Sequence, residues 1–566
     1  MSAQPSIKSA YFSMEMMLET DIPTYAGGLG VLAGDTLRSS ADLKIPAVGV
    51  SLVYSGNIFG QIINPDGTQS FKETDWQKMD QITHLSQTTR VTIGGTEVNV
   101  HCWRYDIVGI DGFIVPVFLL DTDTPDNPQW IREITKNLYD SRQDLRICQE
   151  ILLGIGGVQM LRELGYQHIG NYHLNEGHCS FVTLALLAEN SYQDELVRQQ
   201  CVFTTHTPIP EGHDHFDYNT AYKFAGNYLP WHIKKLAGEE SLHMTRLGVN
   251  LSHTAFAVSK KHQQVSSHNF PEFKFDYITN GIHLRTWTSP YMQDVFNIYL
   301  PEWSENPELL RSAVQKIPND ILWKTHQESK HELVSYVNRH LTSCGGINAC
   351  EFPHDAFTTD TLTIALARRP VQYKRPLLLY SDLERLVRIG AGRLQIIQCG
   401  KSHPADQASQ EIVRQIVSTS QRLKGVLKIC YLENYSPKIA RLLVSGCDVW
   451  VNTPRRPLEA SGTSGMKATI NGVPHFSVLD GWWIEGYAQN PLSGFTIGPN
   501  DDTVETSSSD SEDANDLYNK LQNEIIPMYY DKRGEWIERM KNAITLGATF
   551  NTHRCVQELL QKAWKN

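Results

Sequence analysis

Lys467 follows a run of small and polar residues, Glu459-Ala-Ser461-Gly462-Thr463-Ser464-Gly465-Met, at a point where a helix can begin. Such a loop can cradle a phosphate with its backbone N–H groups, and the amine beside it can form a Schiff base with an aldehyde cofactor. Most lysines beside glycine loops are ordinary surface residues, and spacing leaves both readings open. A second run, LARRPVQYKRP, puts Arg368, Arg369, Lys374 and Arg375 directly after TLTIALA, a predicted strand. An arginine pair suits the several oxygens of a phosphate and lysine adds a mobile point charge, although a solvated basic loop has the same composition. A third run, TYAGGLGVLAGD, places Gly27, Gly28 and Gly30 before a predicted helix, where backbone can approach an anion closely or simply turn tightly. Gly34 falls one place late for a dinucleotide fingerprint, and Gln395 stands where a P-loop before Gly400-Lys401-Ser402 needs glycine. Both nucleotide readings are set aside.

The wider composition narrows the field. A formal net charge of -11 repels polyanions, so nothing favours nucleic acid or an anionic membrane, and any phosphate site must be local. The ten cysteines are scattered, without a C-x-x-C pair or a secretory leader, which points to a reducing cytoplasm. Nothing approaches the roughly 18 unbroken apolar residues of a membrane span. His206, His213 and His215, with His173 and His178, raise a metal-dependent hydrolase, but neither cluster has H-E-x-x-H spacing, and no metal is expected.

A chain of 566 residues calls for at least two domains. Short apolar runs such as IPAVGVSLVY, QCVFTTH, TLTIALA and LQIIQCG alternate with amphipathic stretches, the clearest being DILWKTHQESKHELVSYVNRHL. That alternation predicts an α/β protein with mostly parallel sheets. Two such domains would enclose a cleft lined by the loops beyond their strands. The expected divisions are 1–279, 280–514 and a helical tail 515–566 that packs back on the body, with the junction at ITNGIH, which reads as a short strand ending in a turn. The acidic run TVETSSSDSEDAND reads as a solvated loop leading into a helix.

With these residues in view, the chain resembles the α-glucan phosphorylases, the glycogen, starch and maltodextrin phosphorylase family, in its shorter bacterial and archaeal form. The motifs AYFSMEM, AGGLGVLAGD, YHLNEGH, TTHTPIPEGHD, ITNGIH, ARRPVQYKRP, CGKSHPAD, LENYSP, EASGTSGMK and LDGWW carry the resemblance, in order, over nearly the whole chain. It implies two Rossmann-like domains facing across a deep cleft, the GT-B glycosyltransferase architecture. It implies pyridoxal 5'-phosphate on Lys467, with Gly462, Thr463, Ser464 and Arg368 at the cofactor phosphate and Tyr435 as a further contact. In the family the aldehyde is idle during turnover and the cofactor phosphate exchanges a proton with substrate phosphate. Arg369 and Lys374, with the backbone at Gly27 and Gly28, match groups that fix substrate phosphate; His206 and Asn280 match groups that hold the 6-hydroxyl of the terminal glucose. Glu459, Ser461 and Gly462 match contacts to its 3- and 4-hydroxyls. Chemistry alone would read His206 as a buried structural histidine.

Departures from the longer enzymes are specific. The chain starts almost at the first catalytic motif, so phosphorylation and nucleotide control are expected to be absent. Val31 replaces their arginine, YHLNEGH their Asn-Asp-Thr-His pattern and Ser464-Gly465 their Gly-Asn, which bears on glucan preference. A starch synthase-like glucosyltransferase is the main rival, but Tyr25 stands where its loop carries lysine. A non-catalytic glucan binder is the other, with Trp287, Trp482 and Trp483 as sugar platforms or as core. The expected partners are an α-1,4-glucan and inorganic phosphate, with no nucleic acid and no membrane; a homodimer is compatible with the sequence.

Overall fold

The computed structural model describes residues 6–20, 22–56, 59–64, 66–73, 81–343, 356–499 and 509–564. Cys344, Cys350 and residues 503–508 of the acidic run lie outside the described residues. The chain divides into two units, 1–58 with 73–283 and 552–566, and 59–72 with 284–551.

The first unit is built on a nine-stranded sheet whose spatial order is Asp276–Tyr277, Thr254–Ala257, Cys201–Thr204, Ile169–Asn175, Ile7–Phe12, Ala47–Leu52, Ile114–Asp121, Thr96–Val108 and Thr83–Ile93. Pairing is parallel through Ile114–Asp121, and the last two strands add an antiparallel edge. Numbered along the chain, the parallel strands lie 3-2-1-4-5-6-7, which makes Ile7–Phe12 the first and Ile169–Asn175 the fourth. Because successive side chains point to opposite faces, Phe12 enters one core with Val50 and Leu174 while Tyr11 enters another with Leu37 and Val117. The final helix, Thr552–Lys562, completes that second core with Val556 and Leu559, followed by Trp564, whose indole N–H donates to His173 Nδ1 at 3.1 Å. The helix Gly28–Asp42 begins inside the glycine run, so Gly28 and Gly30, expected before it, form its first turn, and a Cβ on Gly34 would lie 2.1 Å from Met17 O. Close packing is thus the reason for that glycine.

The second unit carries a six-stranded, wholly parallel sheet: Lys428–Leu432, Leu394–Cys399, Leu362–Ala367, Val449–Asn452, His475–Val478 and Gly494–Ile497. Its order along the chain is 3-2-1-4-5-6, that of a doubly wound sheet, with strand order reversing between Leu362–Ala367 and Val449–Asn452. Loops leaving the carboxyl ends at such a point diverge to opposite faces and leave a crevice for ligand. The long helix Asn319–Ser343 packs its Leu333 and Val337 beneath this sheet and anchors Lys330 Nζ on Asp448 at 2.6 Å. A hairpin, Phe59–Ile63 with Gln69–Glu73, also belongs here: the Gln61 and Ile63 N–H groups donate to Asn434 Oδ1 at 2.5 Å and Glu433 Oε2 at 2.8 Å.

Two local readings change. The helix expected from about Asn515 begins at Asp510, inside the acidic run, because Ser509 and Glu512 form a capping box that satisfies its first N–H groups. At ITNGIH only the preceding Asp276–Tyr277 pairs as a strand; Ile278 and Asn280 continue as irregular backbone, donating to Ala257 O and Val258 O. Among the described residues, no helix is long and apolar enough to cross a membrane.

Candidate active site

In the second unit, the loops beyond Leu362–Ala367 and Val449–Asn452 bring together a compact charged cluster. Arg368 Nη2 pairs with Glu459 Oε2, and Lys374 Nζ lies 2.9 Å from both Glu459 oxygens. Burial pushes the Glu459 carboxyl up, but the charges of Arg368 and Lys374 outweigh it and hold it at about 2, so the group is ionised at any working pH. Arg368 Nη1 is buried and unpartnered, which leaves a guanidinium edge free to donate. The four cations of the basic run do not act alike. Arg375, in a left-handed turn with φ 45°, is buried against Asp513 at 2.6 Å and Asp510 at 3.0 Å, so its charge is spent on the fold. Arg369 is exposed and stands outside the Glu459 cluster.

Lys467 lies on the short helix Ser464–Ile470, 6% exposed, its Nζ 3.5 Å from the centroid of the Trp287 ring. Asn471 ties the two together, since its Nδ2 donates to both Lys467 O and Trp287 O at 2.8 Å. Gly462 has φ 84°, which only glycine adopts readily, and turns the chain from Glu459 toward Thr463. Ser464 accepts from Trp450 Nε1 and Asn452 Nδ2, which fixes the start of the helix on the sheet. A Cβ at Gly465 would lie 2.7 Å from the His475 ring. Tyr435 follows the strand Lys428–Leu432 and packs on the core of this unit. Ser461 Oγ, Asn452 Oδ1 and Trp483 Nε1 are buried without partners. A buried amine, an unspent guanidinium edge and orphaned polar atoms on one loop system suit a phosphate-bearing aldehyde.

The first unit supplies a different kind of cluster, in the loops beyond Ile7–Phe12, Ile169–Asn175, Cys201–Thr204 and Asp276–Tyr277. Ser13 donates to Glu15 O at 2.6 Å and accepts from Asn175 Nδ2 at 3.1 Å, which turns Asn175 Oδ1 toward His206 Nε2 at 2.6 Å. His206 Nε2 must therefore carry the proton, leaving Nδ1 as an acceptor. Burial, helped by His262, lowers His206 to about 3, so it is a neutral imidazole. Glu176, at φ 84°, holds the same loop by accepting from the His206 N–H at 2.6 Å and from Thr207 Oγ1 at 2.9 Å. Asn280 is buried, and Arg554 of the last helix donates to the neighbouring Thr279 carbonyl. The glycine run is partly engaged already: the Ala26 and Gly27 N–H groups donate to Glu15 Oε2 at 2.6 and 2.8 Å, and Tyr139 donates to Glu15 Oε1 at 2.9 Å. Gly28 is exposed, with open space where a Cβ would stand.

The family model for carbohydrate phosphorylase matches residues 230–523, a span that contains the whole charged cluster and Lys467. The chain is 37% identical to a maltodextrin phosphorylase of Thermococcus litoralis over 98% of its own length and 70% of that protein's. It is 34% identical to a glycogen phosphorylase of Aquifex aeolicus, covering 98% of this chain and 85% of the relative, and 32% identical to one of Mycobacterium tuberculosis, covering 98% and 70%. This chain belongs to the carbohydrate phosphorylase family.

Within this family member, several supporting residues escaped the reading of the sequence. Glu15 and Asn175 were inside quoted motifs, yet only three-dimensional contact reveals that one engages the glycine run and the other sets the His206 tautomer. Trp287 is no exposed sugar platform but lies 2% exposed under the Lys467 amine; Trp482 and Trp483 are buried too. Among the described residues, no group of three or more His, Cys, Asp or Glu stands where it could hold a metal ion. His213 and His173 are occupied instead by Thr245 at 2.8 Å and Thr204 at 2.9 Å.

Proposed function

We propose that this chain is an α-1,4-glucan phosphorylase, a glycosyltransferase that carries out reversible, retaining phosphorolysis of the non-reducing-end glucose to glucose 1-phosphate. The observation that carries this reading is the ionised Glu459 held between Arg368 and Lys374, on the same loop system as the buried Lys467 amine. In this reading Lys467 holds pyridoxal 5'-phosphate, with Arg368, Gly462, Thr463 and Ser464 at its phosphate and Tyr435 beside it. When bound, the group supplies a phosphate whose proton is exchangeable near neutral pH.

The chain's own residues have separable tasks. Arg369 and Lys374, with backbone at Gly27 and Gly28, hold the substrate phosphate and stabilise charge on it. His206 accepts the 6-hydroxyl proton at Nδ1, Asn280 assists, and Glu459, Ser461 and Gly462 bind the 3- and 4-hydroxyls. A carboxylate has lone pairs enough to serve both cations and a sugar hydroxyl. The glycosidic oxygen takes a proton from substrate phosphate as its bond to C1 breaks, and an oxygen of that phosphate then bonds to C1 from the same face. The compartment of this reading is the cytoplasm; the eight described cysteines are all buried.

Incubation with maltodextrin and phosphate tests this directly. Glucose 1-phosphate is expected from the parent and almost none from Lys467→Ala, a loss of at least about a thousandfold. Equal activity in the variant overturns the role of Lys467, and a parent that makes no product overturns the proposed reaction.

A further inference from the structure

Asp480 sits in the LDGWW motif, two residues past the end of the strand His475–Val478, and no role above uses it. It is 2% exposed. Its Oδ2 accepts the Glu459 N–H at 2.9 Å and its Oδ1 accepts the Gly481 N–H, also at 2.9 Å. The Trp482 N–H donates to Ser461 O at 3.0 Å, so the turn is bound to the sugar-contact loop at both ends of Glu459-Ala-Ser461. The approach is close enough to dictate sequence: Gly481 has φ 54°, and a Cβ there would lie 2.4 Å from Ser461 O and 3.0 Å from Glu459 O. The residue whose side chain holds Arg368 and Lys374 is therefore held at its own backbone by a second carboxylate.

We propose that Asp480 is a positioning residue for phosphorolysis: its carboxylate fixes the Glu459 backbone, and with it the side chain that sets Arg368 and Lys374. The proposal rests on the phosphorylase reading and names a residue that acts through another, without touching substrate. Its ionised form is the competent one, because a carboxylate offers a full acceptor to each N–H, whereas the protonated acid turns an O–H toward one of them. Burial, with the Glu459 charge adding and the two N–H donors and Arg456 opposing, raises Asp480 to about 7. Glu459 and Arg456 are the charged groups that face it.

The test compares the parent chain with Asp480→Asn and Asp480→Ala between about pH 5.5 and about pH 8.5, a range spanning the ionisation. Glucose 1-phosphate formation gives kcat and KM for phosphate and for maltodextrin; cofactor absorbance and thermal unfolding report on loading and folding. Substrate phosphate titrates in this range for every protein form, so the informative quantity is the ratio of kcat/KM, parent over Asp480→Asn. That ratio is expected to be about 10 to 100 at the alkaline end, the loss of one charge-assisted hydrogen bond, and to shrink toward one as pH falls through about 7. Asp480→Ala is expected to show a larger deficit with cofactor retained. A ratio that is flat with pH overturns the proposal, as does unaltered kcat/KM. So does a deficit that tracks loss of cofactor or of the folded form in both variants, which would make Asp480 a residue of the fold alone. A parent without phosphorolysis sinks the underlying reading as well, whereas an active parent with a flat ratio sinks only this inference.

Discussion

His206 in the first unit is kept neutral by burial and aimed by an asparagine, whereas Glu459 in the second is kept ionised by two flanking cations. The same physical circumstance, removal from water, acts on both. Where a buried group has only dipoles around it, the uncharged form wins; where it has two opposite charges in contact, the charged form wins. The first arrangement suits an uncharged hydroxyl, which needs a donor or acceptor of fixed identity. The second suits an anion and its developing charge, which need a preset field.

Substitution should separate the two modes. The largest effect is expected for Glu459→Gln, which leaves Arg368 and Lys374 partly buried without their counterion. We expect kcat/KM to fall by about a hundredfold to a thousandfold and stability by about 3 kcal/mol, read from product formation and denaturant unfolding. Retained activity with retained stability would break the view that charge organises this unit. His206→Ala should cost about tenfold in kcat/KM for maltodextrin, the loss of one neutral hydrogen bond with a polar group left unpaired. The ratio to parent should stay constant from about pH 5 upward, since the imidazole titrates at about 3. A ratio that changes near pH 6 would mean a protonated histidine and would erase the contrast. Asn175→Ala should cost less, about threefold, because it acts only on the His206 tautomer.

A separate expectation concerns stability alone. Asp480 titrates at about 7 in the fold against an ordinary 3.8, so its contribution is fully present below about pH 4 and is lost as pH rises to about 7. The melting temperature of the parent should accordingly decline relative to Asp480→Asn across that window. A parallel pair of curves would show that Asp480 ionises at its ordinary value.

Much of the scaffold was legible because strand periodicity and turn residues are local properties. TLTIALA reads as a strand and is one, Leu362–Ala367, and the basic run follows it into the crevice loop. The helix at Ser464 begins where the small polar run ends. The antiparallel edge Thr96–Val108 with Thr83–Ile93 was not distinguished from the parallel strands, although Gly94-Gly95 between two alternating runs, with φ 58° and 75°, is the mark of a two-residue hairpin. The start of the helix at Asp510 was placed about five residues late, near Asn515, because acidic composition was weighed above the S-x-x-E cap.

Sequence by itself determined which chemical groups are present, the order of strands and loops along the chain, and the family to which the chain belongs. Only the tertiary structure decided what each group does with its charge. Arg368, Arg369, Lys374 and Arg375 are near neighbours in one run, yet two meet Glu459, one meets Asp513 and one stays exposed. Charge state depends on burial and on partners tens of residues away, as with Glu459 and Asp480, and those distances exist only once the sheet has brought its loops together.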